Sequence, residues 1–539
     1  MPTLTIDGKE ITVEKGTTII QAAEKLGIEI PRYCYHPGLS IAGNCRMCLV
    51  EIEKSPKLQI SCYTQAADGM VVHTTSEKVK AARRAILEFL LINHPVDCPV
   101  CDQAGECWLQ IYYMEHGLYN SRFMENKVRK HFKATPIGPW VNLDSERCIL
   151  CSRCVRFTSE ITKTYELALV NRGDHSEITI FPGKELNNKY SGNVVDICPV
   201  GALTDRDFRF QCRVWYLDKQ ESICPGCSRG CNIEIHYNVQ RAHHAGGRRV
   251  LRIKPRFNPE VNKWWICDEG RYGYKFIDDK SRIQMPYLQE GEVLVETDWK
   301  VVLDKVASTL RSILTTYGTE SIGVIASPQL TNEDLYLIRK LFVEDLRLPH
   351  VDFKVPVKEK GYEDDFLIKA DKNPNTRGAE ELGLGAREGS LNVENMLEAA
   401  GTGRLKALYV FGQDLTNFFG EEKIKEIASR LELLVFQGSN LNPTGQYAHV
   451  ILPSATYAEK DGTFTNFEGR VQRIYKAVEP LGESLPDWEI IIKLARLMGF
   501  SYPYQSAREI FEEIATVIPA FNGLSYKVIG SQGAKLATV

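Results

Sequence analysis

All sixteen cysteines of this 539-residue chain lie between Cys34 and Cys267, and the residues beyond have none. Fifteen of them, with one histidine, fall into four groups of four. Cysteines clustered at short spacings in a large chain read as metal ligands when nothing marks the chain as secreted. The amino terminus, MPTLTIDGKEITV, shows no basic segment followed by an apolar stretch; it reads as a strand, an Asp7-Gly8 turn and a second strand. No unbroken apolar run approaches the roughly 18 residues of a membrane span. With 66 Lys and Arg against 69 Asp and Glu, the formal net charge of −3 argues against a nucleic-acid or anionic-membrane partner. The expectation is a soluble, cytosolic protein of several domains.

The first group is Cys34, Cys45, Cys48 and Cys62, spaced C-x10-C-x2-C-x13-C. Around it the pattern predicts a hairpin, a helix near Thr17–Leu26, a long loop, and strands near Leu49–Glu53, Leu58–Ser61 and Met70–His73: a small sheet folded over one helix. Gly38 and Gly43 let the loop wrap closely around an inorganic core, with backbone N–H groups aimed at sulfur. Four thiolates so arranged suit a [2Fe–2S] centre. A zinc site built on the Cys45–Cys48 hook is the alternative.

An amphipathic helix follows. Thr74 and Glu77 predict a capping box, and Val79, Ala82, Ile86, Phe89 and Leu90 predict one apolar face. Pro95 ends the helix at His94, and Cys98, Cys101 and Cys107 come next. Three cysteines leave a cubane one ligand short, and His94 completes the set. A structural zinc site with the same four donors is the rival.

Cys148, Cys151 and Cys154 form C-x2-C-x2-C. The fourth cysteine of a two-cluster ferredoxin would stand at Thr158. A lone Cys198-Pro199 follows instead, so one [4Fe–4S] cluster held by Cys148, Cys151, Cys154 and Cys198 is the economical reading. The last group is Cys224, Cys227, Cys231 and Cys267, whose long final gap leaves room for a small strand-rich subdomain. Cys212 is left over and reads as a small buried hydrophobe. Arg32, Arg46, Arg147, Arg153, Arg229 and Arg271 flank the groups, as counter-charges to the clusters or as ordinary salt bridges and solvated side chains.

From about Asp298 onward helix and strand alternate. Helices are expected at Val301–Tyr317, Asn332–Asp345, Glu421–Leu431 and Trp488–Met498. Strands are expected at Ser321–Ser327, Ala407–Gly412, Leu433–Gln437 and Val450–Pro453. Short apolar strands between helices predict a parallel, doubly wound sheet. The polar, glycine-rich stretch between Lys354 and Gly403 reads as an irregular excursion. No G-x-G-x-x-G follows a strand, so neither NAD nor FMN is assigned to this chain.

The first two groups resemble the ferredoxin domain and the one-histidine, three-cysteine module shared by respiratory complex I, iron-only hydrogenases and NAD-linked formate dehydrogenases. The fourth resembles the cluster-binding entrance of molybdenum and tungsten bis-pterin oxidoreductases. The stretches Ile266–Asp278 and Ser439–Arg473 resemble complex I. Together the chain resembles, over nearly its whole length, the large peripheral-arm iron–sulfur chains of NADH:quinone oxidoreductases. Relatives often continue further, so part of the pterin-enzyme-like fold is expected to be missing.

The resemblance implies an α+β and α/β architecture in five parts. They are a β-grasp ferredoxin domain (1–78), a one-histidine/three-cysteine module (79–140), a four-cysteine module (141–216), a bis-pterin-type cluster domain (217–275) and a truncated molybdopterin-oxidoreductase-like α/β domain (276–539). It implies one [2Fe–2S] and three [4Fe–4S] clusters, no catalytic residue and no pterin. No cysteine follows Cys267 to bind its metal, and Lys275–Pro286 offers no Cys-His pair. It further implies a relay of single electrons from an FMN- and NADH-binding partner toward quinone-side subunits, at the cytoplasmic face of the inner membrane. The competing readings are a pterin-dependent, formate dehydrogenase-like subunit and a zinc-stabilised scaffold.

Overall fold

A computed structural model describes residues 1–537 except 242, 292, 357, 360 and 361. The chain forms two compact units, Met1–Leu217 and Asp218–Val539. None of the described helices is long and apolar enough to cross a membrane.

The first unit begins with the expected small sheet. Thr3–Ile6 pairs antiparallel with Lys9–Thr12 and parallel with Met70–His73, and Leu49–Ile52 and Gln59–Ile60 complete five strands. Asp7 and Gly8 both take positive φ (47° and 81°), as a tight hairpin with the strands' own twist requires. Helix Ile19–Lys25 lays Ile19, Ile20 and Ala23 onto Leu4, Ile6, Val50 and Val72. Gln21 accepts from the Thr18 N–H at 2.9 Å and fixes the start of this helix.

The next helix, Glu77–Asn93, departs from expectation in two ways. Its cap is Ser76, whose hydroxyl accepts from the Val79 N–H, and not a Thr74–Glu77 box. Thr74 is drawn away because its hydroxyl and N–H both bond the Asp7 carboxylate. Its buried face is Val79, Arg83 and Leu87, and Phe89 is 73% exposed. The unit closes with helix Trp108–His116, a three-stranded sheet of Thr135–Pro136, Val141–Leu143 and Leu203–Asp205, and the short helices Arg153–Arg156 and Asn193–Ile197.

The second unit opens with an antiparallel sheet of Asp218–Ile223, Asn232–Tyr237 and Val250–Pro255. A seven-stranded sheet follows. Its parallel part runs in space as His350–Phe353, Ile322–Ala326, Ala407–Phe411, Leu433–Gly438 and Val450–Pro453. An antiparallel hairpin, Tyr287–Glu290 with Val293–Glu296, covers the last edge. Numbered along the chain, the parallel strands have order 2-1-3-4-5, a doubly wound arrangement whose switch point lies between the strands at 322 and 407. Helix Trp299–Tyr317 packs because Val302, Val306, Leu310 and Ile313 recur at helical spacing and are all buried. The expected helix at Asn332–Asp345 ends differently: after Ile338 it widens into a π-helix, Arg339–Asp345. The stretch between Lys354 and Gly403 is more regular than its polarity suggests. It contains helices Thr376–Glu381 and Val393–Gly401, the latter burying Val393, Met396, Leu397 and Ala400.

Candidate functional site

The first three cysteine groups meet in one apolar core of the first unit. Cys34, Cys107 and Cys151 lie in a single buried cluster with Tyr33, Met47, Leu87, Leu109, Tyr112 and Val200, and Cys45, Cys148 and Cys198 pack against it.

In the first group the loop before Cys48 turns through left-handed conformations at Gly43 (φ 61°) and Arg46 (φ 60°). The Gly38 N–H donates to His36 Nδ1 at 3.1 Å, shaping the entry to the loop. Cys34 accepts from the Cys45 thiol and the Asn44 and Cys45 N–H groups, which pull it below the usual thiol range. Cys48 is lowered in the same way by the Cys62 thiol.

In the second group His94 caps the carboxyl end of its helix and Cys107 the amino end of helix Trp108–His116. Burial, and then the charge of Arg147, push His94 down to about 4, so the ring is neutral at pH 7 and offers a lone pair. Its Nδ1 is buried with no hydrogen-bond partner among the described residues. A cavity of about 510 Å³ opens onto His94, Cys98 and Cys107. A Cβ on Gly201 would stand 2.5 Å from the Cys101 sulfur, so the loop after Cys198 must carry glycine there. The Trp108 N–H donates to the Pro199 carbonyl at 2.9 Å, which ties the second and third groups together.

In the third group Leu150 (φ 55°) and Ser152 (φ 61°) alternate with the cysteines in left-handed geometry, a pattern that aims successive N–H groups inward. The Leu150 N–H points at the Cys148 sulfur at 3.4 Å. Cys148, Cys151, Cys154 and Cys198 line one cavity whose other walls include Leu143, Ile149, Ile178 and Leu203. Burial, with repulsion between the sulfurs, pushes Cys148 up to about 11 and Cys198 to about 12. Four thiolates are stable in such a place only around a bound cation.

The fourth group lies in the second unit. Gly230 (φ 64°) turns the chain before Cys231. A Cβ on Gly270 would sit 2.9 Å from the Cys224 sulfur and 3.5 Å from that of Cys267. Cys267 caps helix Asp268–Tyr272 and accepts from the Gly270 N–H at 3.3 Å. Burial pushes Cys267 up to about 12.

The donor sets, the glycines that yield room to sulfur and the stranded His94 nitrogen all fit iron–sulfur cages. Among the described residues, no three His, Cys, Asp or Glu converge tightly enough to hold a single metal ion. The flanking arginines divide. Arg32, Arg147 and Arg229 form ion pairs with Glu24, Asp97 and Glu468. Arg46 is exposed, and Arg271 donates to the Ile253 carbonyl. Arg153 is buried between the groups: it donates to the carbonyls of Tyr35 (2.5 Å) and Ile197 (3.0 Å) and stacks 4.6 Å from the Trp108 ring. Sequence reasoning missed Arg156, which donates to the Cys34 carbonyl at 2.6 Å and to that of Cys151 at 3.4 Å. Its i+2 spacing from Cys154 was the available signal. Cys212 is buried, 6% exposed.

Five regions of the chain match family models described as a 2Fe-2S iron-sulfur cluster binding domain (1–77), the NADH-ubiquinone oxidoreductase-G iron-sulfur binding region (83–122), the NADH-quinone oxidoreductase subunit 3 ferredoxin-like domain (138–204), the molybdopterin oxidoreductase Fe4S4 domain (218–279) and molybdopterin oxidoreductase (370–497). The chain is 31% identical to the NADH-quinone oxidoreductase G subunit of Rickettsia bellii, over 99% of this chain and 92% of that one. The chain belongs to the G-subunit family of NADH-quinone oxidoreductases. A mitochondrial relative, the 78 kDa NADH-ubiquinone oxidoreductase subunit of Candida albicans, is 31% identical over 96% of this chain and 85% of its own length. Among solved structures, an NAD+-reducing [NiFe]-hydrogenase in its H2-reduced state is 32% identical over 40% of this chain and 91% of its own, with a TM-score of 0.36.

The molybdopterin oxidoreductase match lies in the second unit, which holds a crevice near the carboxyl ends of the parallel strands. The crevice measures about 250 Å³ and is lined by Ser327, Gly412, Gln437, Ser454 and Lys460. That is below the roughly 300–1,000 Å³ of ordinary ligand pockets. Lys460, the cation in it, is already held by Asp334 (2.7 Å) and Asp487 (2.6 Å). The crevice does not fit an anionic pterin dinucleotide.

Proposed function

We propose that the chain relays single electrons within an NADH:quinone oxidoreductase, through one [2Fe–2S] cluster at Cys34, Cys45, Cys48 and Cys62 and three [4Fe–4S] clusters at the remaining sets. The observation that carries this is the shared apolar core of the first unit, in which or against which cysteines of three sets pack. Bound clusters supply reversible one-electron acceptance at potentials set by ligand, hydrogen bonding and burial. The chain's own residues do the rest. The thiols and His94 hold iron, backbone N–H groups offset the charge on sulfur, and Leu87, Leu109, Tyr112 and Val200 exclude water. Arg153 and Arg156 bind the first and third loops to each other through backbone carbonyls. No acid, base or nucleophile is needed for this work.

The partners are an FMN- and NADH-binding subunit on the donor side and quinone-side peripheral subunits on the acceptor side. The assembly lies at the cytoplasmic face of the inner membrane. Metal and sulfide analysis of the anaerobically purified chain tests the reading. Iron and acid-labile sulfide in near-equal amounts, with little zinc and no molybdenum or tungsten, is the expected result. Stoichiometric zinc indicates the scaffold instead, and molybdenum or tungsten the pterin enzyme.

A further inference from the structure

Tyr33 immediately precedes the first ligand of the first set, yet it does not pack in the core of the five-stranded sheet. It is fully buried, at 0% exposure, among Leu87, Leu109 and Tyr112. Its ring meets that of Tyr112 edge to face, with centroids 5.4 Å apart. Tyr112 sits on the helix that Cys107 caps, so the contact carries Tyr33 from the first group to the second. Among the described residues, the Tyr33 hydroxyl has no hydrogen-bond partner. A buried hydroxyl left so is unfavourable, and a partner that the chain itself does not supply would satisfy it. The ionisable groups facing it are Tyr112, then the sulfurs of Cys107 and Cys45. Leu87 and Leu109, which pack with Tyr33, also wall the cavity that opens onto His94, Cys98 and Cys107, so the packing carries Tyr33 to the second set.

We infer that the Tyr33 hydroxyl donates a hydrogen bond to a sulfur of the cluster held by His94, Cys98, Cys101 and Cys107. A residue of the first domain then sets part of the second cluster's potential. The inference rests on the electron-relay reading above. A donor to sulfur stabilises the reduced, more negative cluster, so it raises the potential.

The test is Tyr33→Phe in the assembled complex, followed by EPR-monitored redox titration. The reduction constant of the histidine-ligated cluster is expected to fall about tenfold, about 59 mV for one electron. The midpoint of the [2Fe–2S] centre is expected to stay unchanged. An unchanged histidine-ligated cluster overturns the inference, and so does a shift confined to the [2Fe–2S] signal. If Tyr33→Phe loses the cluster, a fluorinated, more acidic tyrosine placed at position 33 alone decides. As a stronger donor it must raise the same midpoint, and no rise overturns the inference. Absence of any histidine-ligated signal in the unsubstituted complex would instead remove the relay reading itself.

Discussion

Two single atoms control the second group. The missing Cβ of Gly201 makes room for the Cys101 sulfur, which would otherwise face carbon at 2.5 Å. Gly201→Ala is expected to abolish the EPR signal of the histidine-ligated cluster while the [2Fe–2S] signal persists; survival of both would show that the loop can yield. The neutral nitrogen of His94 leaves that cluster one negative charge poorer than four thiolates would. His94→Cys is expected to keep a cubane and lower its midpoint, since histidine in place of cysteine raises potentials in related centres. An EPR titration with an equal or higher midpoint contradicts this. The four proposed ligand sets were suggested by the spacing of the cysteines. Gly201, Arg156 and Tyr33 were not. Their roles arise from contacts across long stretches of chain, as between Gly201 and Cys101, and no local pattern announces them.

At the scale of elements, helix ends were the least legible feature. The Thr74–Glu77 pattern has the form of a capping box, but a tertiary partner, Asp7, takes the threonine and Ser76 caps instead. Val393–Gly401 escaped notice because glycine and charge surround it, although its own apolar spacing is helical. Where a cap has no competing partner it behaves simply. Asp298 accepts from the Val301 N–H at 2.8 Å, and Asp298→Ala is expected to destabilise helix Trp299–Tyr317 by about 1 kcal/mol, read by denaturant unfolding. Helix Asn332–Ile338 carries a pH-sensitive group. Burial pushes the Glu333 carboxyl up to about 7, although Thr463 and Tyr526 donate to it. The fold therefore favours its protonated form. That contribution, on the order of 3 kcal/mol, is fully present below the unfolded value near 4.3 and is lost as pH rises through 7. Hydrogen-exchange protection of this helix is expected to fall across that window, and Glu333→Gln to flatten the fall; equal slopes in the two proteins contradict it.

At the scale of the molecule, two designs meet in one chain. The first unit gathers cysteines of the three sets proposed as ligands in and against one apolar core. The second unit is an enzyme fold, a doubly wound sheet with a small crevice whose lysine is locked between two aspartates. Its alternation of apolar strands and amphipathic helices made the sheet legible in advance. The small crevice and the Lys460 lock were not legible, because they depend on side chains from separate strands and helices. The central claim is that sulfur and imidazole side chains hold several independent one-electron centres. EPR-monitored redox titration of anaerobically handled protein tests it most directly. The expected result is a [2Fe–2S] signal together with at least two distinct [4Fe–4S] signals, each with its own midpoint. Fewer than three such centres, or a spectroscopically silent protein loaded with zinc, would contradict the account.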